Sequence, residues 1–137
     1  MTMETTDYCS YELSKALKAC GFDEPCYSKW AVEPDGKPFL MGSCLAGFVS
    51  SECKGRDVLA PFLWQAQKWL REKKKIDVLV YNCACGYLWE ASKATNGTGL
   101  ILFDDKGDDG NSGCWTSYEA ALSAGIAAAL ELIKKGE

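Results

Sequence analysis

The chain has 137 residues, 47% of them hydrophobic, which is the size of one domain and enough apolar material for one buried core. Its 15 basic and 19 acidic residues leave a formal charge of -4, which argues against an electrostatic fit to nucleic acid or anionic lipid. The amino terminus lacks the basic-then-apolar pattern of a secretory signal and no apolar run is long enough to span a bilayer, so a cytoplasmic location is expected. Reducing cytosol in turn implies that the eight cysteines are reduced, metal-free thiols, most of them small buried apolar side chains.

Taken in chain order, Ser10 can cap a helix over 11–20 in which Leu13, Ala16, Leu17 and Cys20 share one face. Gly21 ends it, and Phe22 is placed to touch Leu17. Extended segments over 26–32 and 38–41 flank the turn-forming run Glu33-Pro34-Asp35-Gly36-Lys37 and read as a hairpin. From 42 to 57 glycine and serine are frequent and no period emerges, so the stretch reads as irregular.

A second helix is predicted from Pro61, at its first position, through Lys73, with Phe62, Leu63, Ala66, Trp69 and Leu70 on the buried side. Three strands follow over 76–83, 87–94 and 98–103, with Asn96-Gly97 as a two-residue turn. The last helix is predicted to start on a capping box of Thr116 and Glu119 with Trp115 as a staple, burying Tyr118, Leu122, Ile126, Ala129, Leu130 and Ile133. The fold class expected is α+β, a single domain over 1–137. A three-stranded antiparallel meander is flanked by two helices, and the amino-terminal helix and hairpin extend or cover the core.

Gly21-Phe22-Asp23-Glu24-Pro25-Cys26, Ala60-Pro61 leading into Gln65-Ala66-Gln67-Lys68-Trp69-Leu70-Arg71-Glu72, and Tyr118-Glu119-Ala120-Ala121-Leu122 with Ala124-Gly125-Ile126 and Ala129-Leu130 carry a resemblance. Over most of the chain the sequence resembles small uncharacterised proteins encoded by phages, prophages and mobile elements of gut Bacteroidales. The resemblance implies a bacterial cytoplasm under phage or mobile-element control, and it supplies no activity, cofactor or functional residue. The cysteine content, especially Cys83 and Cys85, departs from that pattern.

With no histidine, the usual serine and cysteine triads and most catalytic zinc sites are excluded, and a general base would have to be a carboxylate, lysine or tyrosine. Cys83-Ala84-Cys85 could aim two thiols the same way along a strand toward a soft metal, with Cys44 and Cys53 as further donors. No Cys-x-x-Cys knuckle is present, so buried thiols are the preferred reading. Asp104, Asp105, Asp108, Asp109 and Asn111 invite comparison with a calcium loop. Gly107, however, falls where an oxygen ligand belongs and Thr116 where a bidentate glutamate belongs. A solvated loop is preferred there.

Tyr87 and Trp89 share one strand face, either as a stacking platform or, preferred, as core beneath a helix. The order helix, three strands, helix is shared with double-stranded-RNA-binding domains, but Thr116-Ser117-Tyr118-Glu119 offers an acid and no lysine cluster.

Trp64 turns away from the buried side of its helix, onto the side shared with Lys68 and Arg71. It is either covered by the amino-terminal hairpin or exposed as a protein contact. The function expected is therefore that of a non-enzymatic accessory protein that binds a host or phage protein, with a homodimer as one form, and with no cofactor, membrane or nucleic acid. The alternatives are a small-ligand-binding or carboxylate-based enzyme domain near the acidic loop, and then an RNA-binding module.

Overall fold

Residues 5–42, 47–84, 86–94, 96–103 and 114–136 are described by the structure, a computed structural model of the chain. Its internal contacts divide into two compact units, Met1–Phe62 and Leu63–Glu137.

In the first unit, helix α1 (Tyr11–Ala19) begins as expected, with Ser10 Oγ accepting from the Leu13 N–H at 3.1 Å. It closes with the Gly21 N–H donating to Lys18 O and the Phe22 N–H to Leu17 O, both at 3.0 Å, and Phe22 and Leu17 are each buried. Strands β1 (Ser28–Val32) and β2 (Pro38–Gly42) form the expected antiparallel hairpin. Cys26 lies before β1 and makes an isolated bridge to Phe48. A third strand, β3 (Val58–Ala60), lies just past the stretch read as irregular, where the sequence pattern gave no strand, and pairs antiparallel with β1 in a sheet of order β2-β1-β3.

Asp57 ties the approach to β3 onto β1. Its Oδ1 accepts from the Val32 N–H at 3.1 Å, and its Oδ2 lies 3.5 Å from Lys29 Nζ. The polar groups that this packing buries find partners, since Trp30 Nε1 donates to Cys9 O at 2.9 Å and Ser28 Oγ to Tyr8 Oη at 3.2 Å.

In the second unit, helix α2 spans Leu63–Lys73 and buries Leu63, Ala66, Trp69 and Leu70. Pro61 is not its first residue and Phe62 does not join its buried face. Phe62 instead bridges to Tyr8, whose ring stacks on it at 4.6 Å between centroids, so the chain is still extended there. The helix ends with Lys75 in the left-handed region at φ 61°, and the Lys75 carbonyl accepts from the Ala94 N–H at 2.9 Å.

Strands β4 (Ile76–Cys83), β5 (Gly86–Lys93) and β6 (Asn96–Phe103) form the expected antiparallel meander in the order β4-β5-β6. The second turn is displaced from its expected place. Lys93 pairs with Asn96, so Asn96 and Gly97 open β6 rather than forming the turn, and the register shifts nearby between Ala91 and Lys93.

Helix α3 (Tyr118–Gly136) packs with α2 on β4 and also covers β5. Its cap is Ser117, not Thr116, since Ser117 Oγ accepts from the Ala120 N–H at 3.1 Å. The reason is upstream: Trp115 is held extended by backbone pairing with Tyr87, and the helix can turn only after it. Tyr118 consequently points outward at 42% exposure and meets Tyr87 edge-on at 6.0 Å, whereas Ala121, Leu122, Ile126, Ala129 and Leu130 are buried and Ile133 is half-buried. Trp89 is core, as preferred, at 7% exposure.

At Gly125 α3 lies close against the sheet. A Cβ there would lie 2.7 Å from Val78 Cγ1 and 3.2 Å from Trp89 Cβ. Among the described residues no helix is long and apolar enough to cross a membrane.

Two stability measurements check this account. Ser117→Ala should lower unfolding free energy in urea by about 0.5–2 kcal/mol, because it removes the oxygen that satisfies a helix-start amide. Gly125→Ala should cost about 1–3 kcal/mol even though alanine is the better helix former by about 1 kcal/mol, because the added methyl overpacks Val78 and Trp89. A stabilised Gly125→Ala protein would show that helix and sheet are not in close contact there.

Candidate functional site

On α2 the step of about 100° per residue puts positions 64, 68 and 71 on one side, opposite the buried side. Trp64 is 57% exposed and Lys68 is exposed, so Trp64 stands outside the core. Arg71 is half-buried and reaches Asp77 at the start of β4, with 3.9 Å between Nη1 and Oδ1, a long contact that contributes little to stability. Beside it, Gln67 Nε2 donates to Val78 O at 2.7 Å, satisfying an outward carbonyl of β4. The structure thus brings Trp64, Lys68 and Arg71 to one side of one helix, fixed against β4 by its neighbours.

The sequence reading missed a second feature of this unit. Alternation along β4 sends Ile76 and Val78 inward and Leu79 and Tyr81 to the other face of the sheet, where they are 41% and 44% exposed. The signal was present in the period-two pattern of β4.

The cysteines are arranged differently from the expectation. Cys83 is the last residue of β4, opposite Gly86, and Ala84 is already in the turn; Cys85 lies outside the described residues. The partner that the fold brings to Cys83 is Cys114, with Sγ atoms 3.4 Å apart. Cys9, Cys20, Cys26, Cys53 and Cys83 are thiols, but Cys114 is disulfide-bonded, which corrects the expectation of eight reduced cysteines.

The expectation of burial holds for Cys9 and Cys26, while Cys20, Cys53, Cys83 and Cys114 are half-buried. Burial, with Cys26 adding, pushes the Cys9 thiol far above its ordinary range. Burial also raises that of Cys53, against the opposing charge of Lys29.

The contact between Cys83 and Cys114 is built by backbone. Tyr87 and Trp115 exchange N–H···O bonds of 2.9 and 2.8 Å along the edge of β5, which places Cys114 beside Gly86. Gly86 has φ 147°, and a Cβ there would collide with the Trp115 carbonyl oxygen and lie 3.8 Å from Cys114 Cβ. A glycine at this position is what lets the segment before α3 lie on β5.

Cys44 and the acidic loop with Asp104, Asp105, Asp108, Asp109 and Asn111 lie outside the described residues. Among the described residues, no group of three or more cysteines or carboxylates is placed to hold a metal ion. A concavity of about 510 Å³ in the first unit is an open groove whose charges are cationic: Lys15, Lys18 and Arg56 line it with Tyr11. Lys15 is already paired with Glu12 at 3.2 Å, and Tyr11 Oη donates to Arg56 O at 3.0 Å. The segment leading into α3, 114–120, carries Glu119 and no lysine or arginine, which disfavours phosphate recognition there.

Compared with protein-family models, with curated proteins and with solved structures, the chain matches none.

The backbone construction of the cysteine contact gives a further expected outcome. Gly86→Ala should destabilise the protein by about 1–3 kcal/mol. It should also lower hydrogen-exchange protection of the Tyr87 and Trp115 amides selectively, relative to the amides of α2; equal loss everywhere would contradict a local role.

Proposed function

We propose that the protein is a non-enzymatic accessory protein that works by binding another protein through the outward side of α2. The observation that carries this reading is the Trp64 ring, 57% exposed on a helix whose opposite side is buried. Tryptophan and arginine are the side chains most enriched among residues that dominate binding energy, and a large ring left in water is offset when a partner covers it. Trp64 supplies the apolar anchor, Lys68 a charge at its rim, and Arg71 a planar donor already oriented by Asp77. The exposed Leu79 and Tyr81 give the same unit a second apolar strip.

The setting is a bacterial cytoplasm under phage or mobile-element control, as the resemblance implies. The partner is a host or phage protein, and a second copy of the chain is one form that the contact takes.

Trp64→Ala tests the proposal. Unfolding free energy should change by less than about 0.5 kcal/mol, since surface substitutions fall in that range, whereas a core tryptophan would cost about 3–5 kcal/mol. Association should weaken at least about tenfold, read by sedimentation velocity for self-association and by quantitative capture from the native bacterium for another partner. Full stability with no change in either association would remove the proposal.

A further inference from the structure

In the order β4-β5-β6, β4 ends its sheet on one side, and three observations fix which of its backbone groups face outward. Tyr87, opposite Asn82, exchanges its backbone bonds with Trp115 on the far side of β5. Ala94 donates to Lys75 O across the β4–β5 pair, and Val78 O is taken by Gln67 of α2. Leu79, Tyr81 and Cys83 therefore bond to β5, while the N–H and C=O groups of Val80 and Asn82 point to an edge where no strand of the described residues pairs. Residues 78–83 carry no charge and no proline, and their register with β5 is unbroken, so beyond Gln67 nothing on the strand itself keeps this edge from pairing.

The outward side of α2 stands beside the same edge. Gln67 reaches it at Val78 O, and Arg71 reaches round it to Asp77, which alternation places on the sheet face opposite Ile76 and Val78. Trp64 and Arg71 are only about 20° apart around the helix. Because α2 runs antiparallel to β4, stepping back from Gln67 to Trp64 covers about 4.5 Å and brings the ring level with Val80. We propose, resting on the reading of α2 as the binding side, that the partner contributes an extended segment that adds as a further strand to the free edge of β4, bonding to Val80 and Asn82 beside Trp64. Alternate side chains of the segment lie under Trp64 on one face and beside the exposed Leu79 and Tyr81 on the other. Lys68, exposed next to Trp64, favours an acidic side chain in the segment. Pairing two β4 edges about a two-fold axis would crowd both α2 helices over the same pair of strands, so the occupant is a bare segment rather than a second copy.

Peptides roughly ten residues long, ample for one strand, are selected from a random displayed library on the full-length protein, and the tightest is synthesised as the probe. Its binding should slow hydrogen exchange of the Val80 and Asn82 amides at least about tenfold and leave those of Leu79 and Tyr81, already bonded to β5, nearly unchanged. Asn82→Pro removes an edge donor and no bond to β5, so Leu79 and Tyr81 should stay protected while the probe binds at least about tenfold more weakly. A probe that binds without slowing the Val80 and Asn82 amides, or a selection that yields no binder, would overturn the added strand. Trp64→Ala separates this from the helix reading. Loss of binding in Trp64→Ala with none in Asn82→Pro would remove the strand and leave the α2 surface standing, whereas the reverse pattern would keep the strand and remove Trp64. Self-association that Asn82→Pro abolishes would give the edge to a second copy and overturn the assignment to a bare segment.

Discussion

The distance between α3 and its sheet is set at Gly125, and much of the second unit follows from that distance. Ala121, Gly125 and Ala129 recur every fourth residue and form a ridge of small side chains, which lets the helix lie close to β4 and β5. Leu122, Ile126 and Leu130 flank the ridge and are buried, and Val78 and Trp89 meet it from the sheet. Each large apolar side chain so buried contributes about 1.5–3 kcal/mol, provided that no gap opens between the layers. The start of the helix is fixed separately, by the pairing of Trp115 with Tyr87. Ser117 then caps it, Trp115 is left to cover the edge of β5, and Cys114 arrives at Cys83.

The elements of this fold were legible wherever periodicity ran long enough. Three-and-four spacing finds Leu13 and Leu17 of α1 and Leu63, Ala66, Trp69 and Leu70 of α2, although Ala16 and Cys20 are only half-buried and Ser14 is buried instead, and the three strands of the meander follow from their β-branched and aromatic composition. Boundaries were less legible. Thr116 and Ser117 both carry a capping hydroxyl, and the choice between them is made by the distant Tyr87 rather than by either residue. Asn96-Gly97 has the composition of a tight turn, yet the pairing of Lys93 with Asn96 moves the turn upstream. Strand β3 is three residues long, too short to show alternation, and exists because β1 offers it a free edge.

Legibility of the candidate sites divides the same way. The outward position of Trp64 follows from helix geometry, since a residue opposite Ala66, Trp69 and Leu70 cannot face the core that they build. The attachment of Arg71 to Asp77 joins a helix to the strand after it and depends on how the chain turns at Lys75. Cys83 stood out in the sequence for its spacing from Cys85, which lies outside the described residues, whereas its contact with Cys114, a cysteine beyond two further strands, comes from a separation at which local pattern carries no information.

The depth of Cys9 has a consequence for how motions of the first unit can be followed. Its side chain has no exposed surface, its backbone N–H donates to Pro61 O at 2.8 Å, and its carbonyl accepts from Trp30 Nε1. A thiol so enclosed, and held protonated by burial, reacts with a soluble alkylating agent only when the packing around α1 and β3 comes apart. Its rate of modification is therefore a native clock for opening of that unit, read from a single atom without an introduced probe.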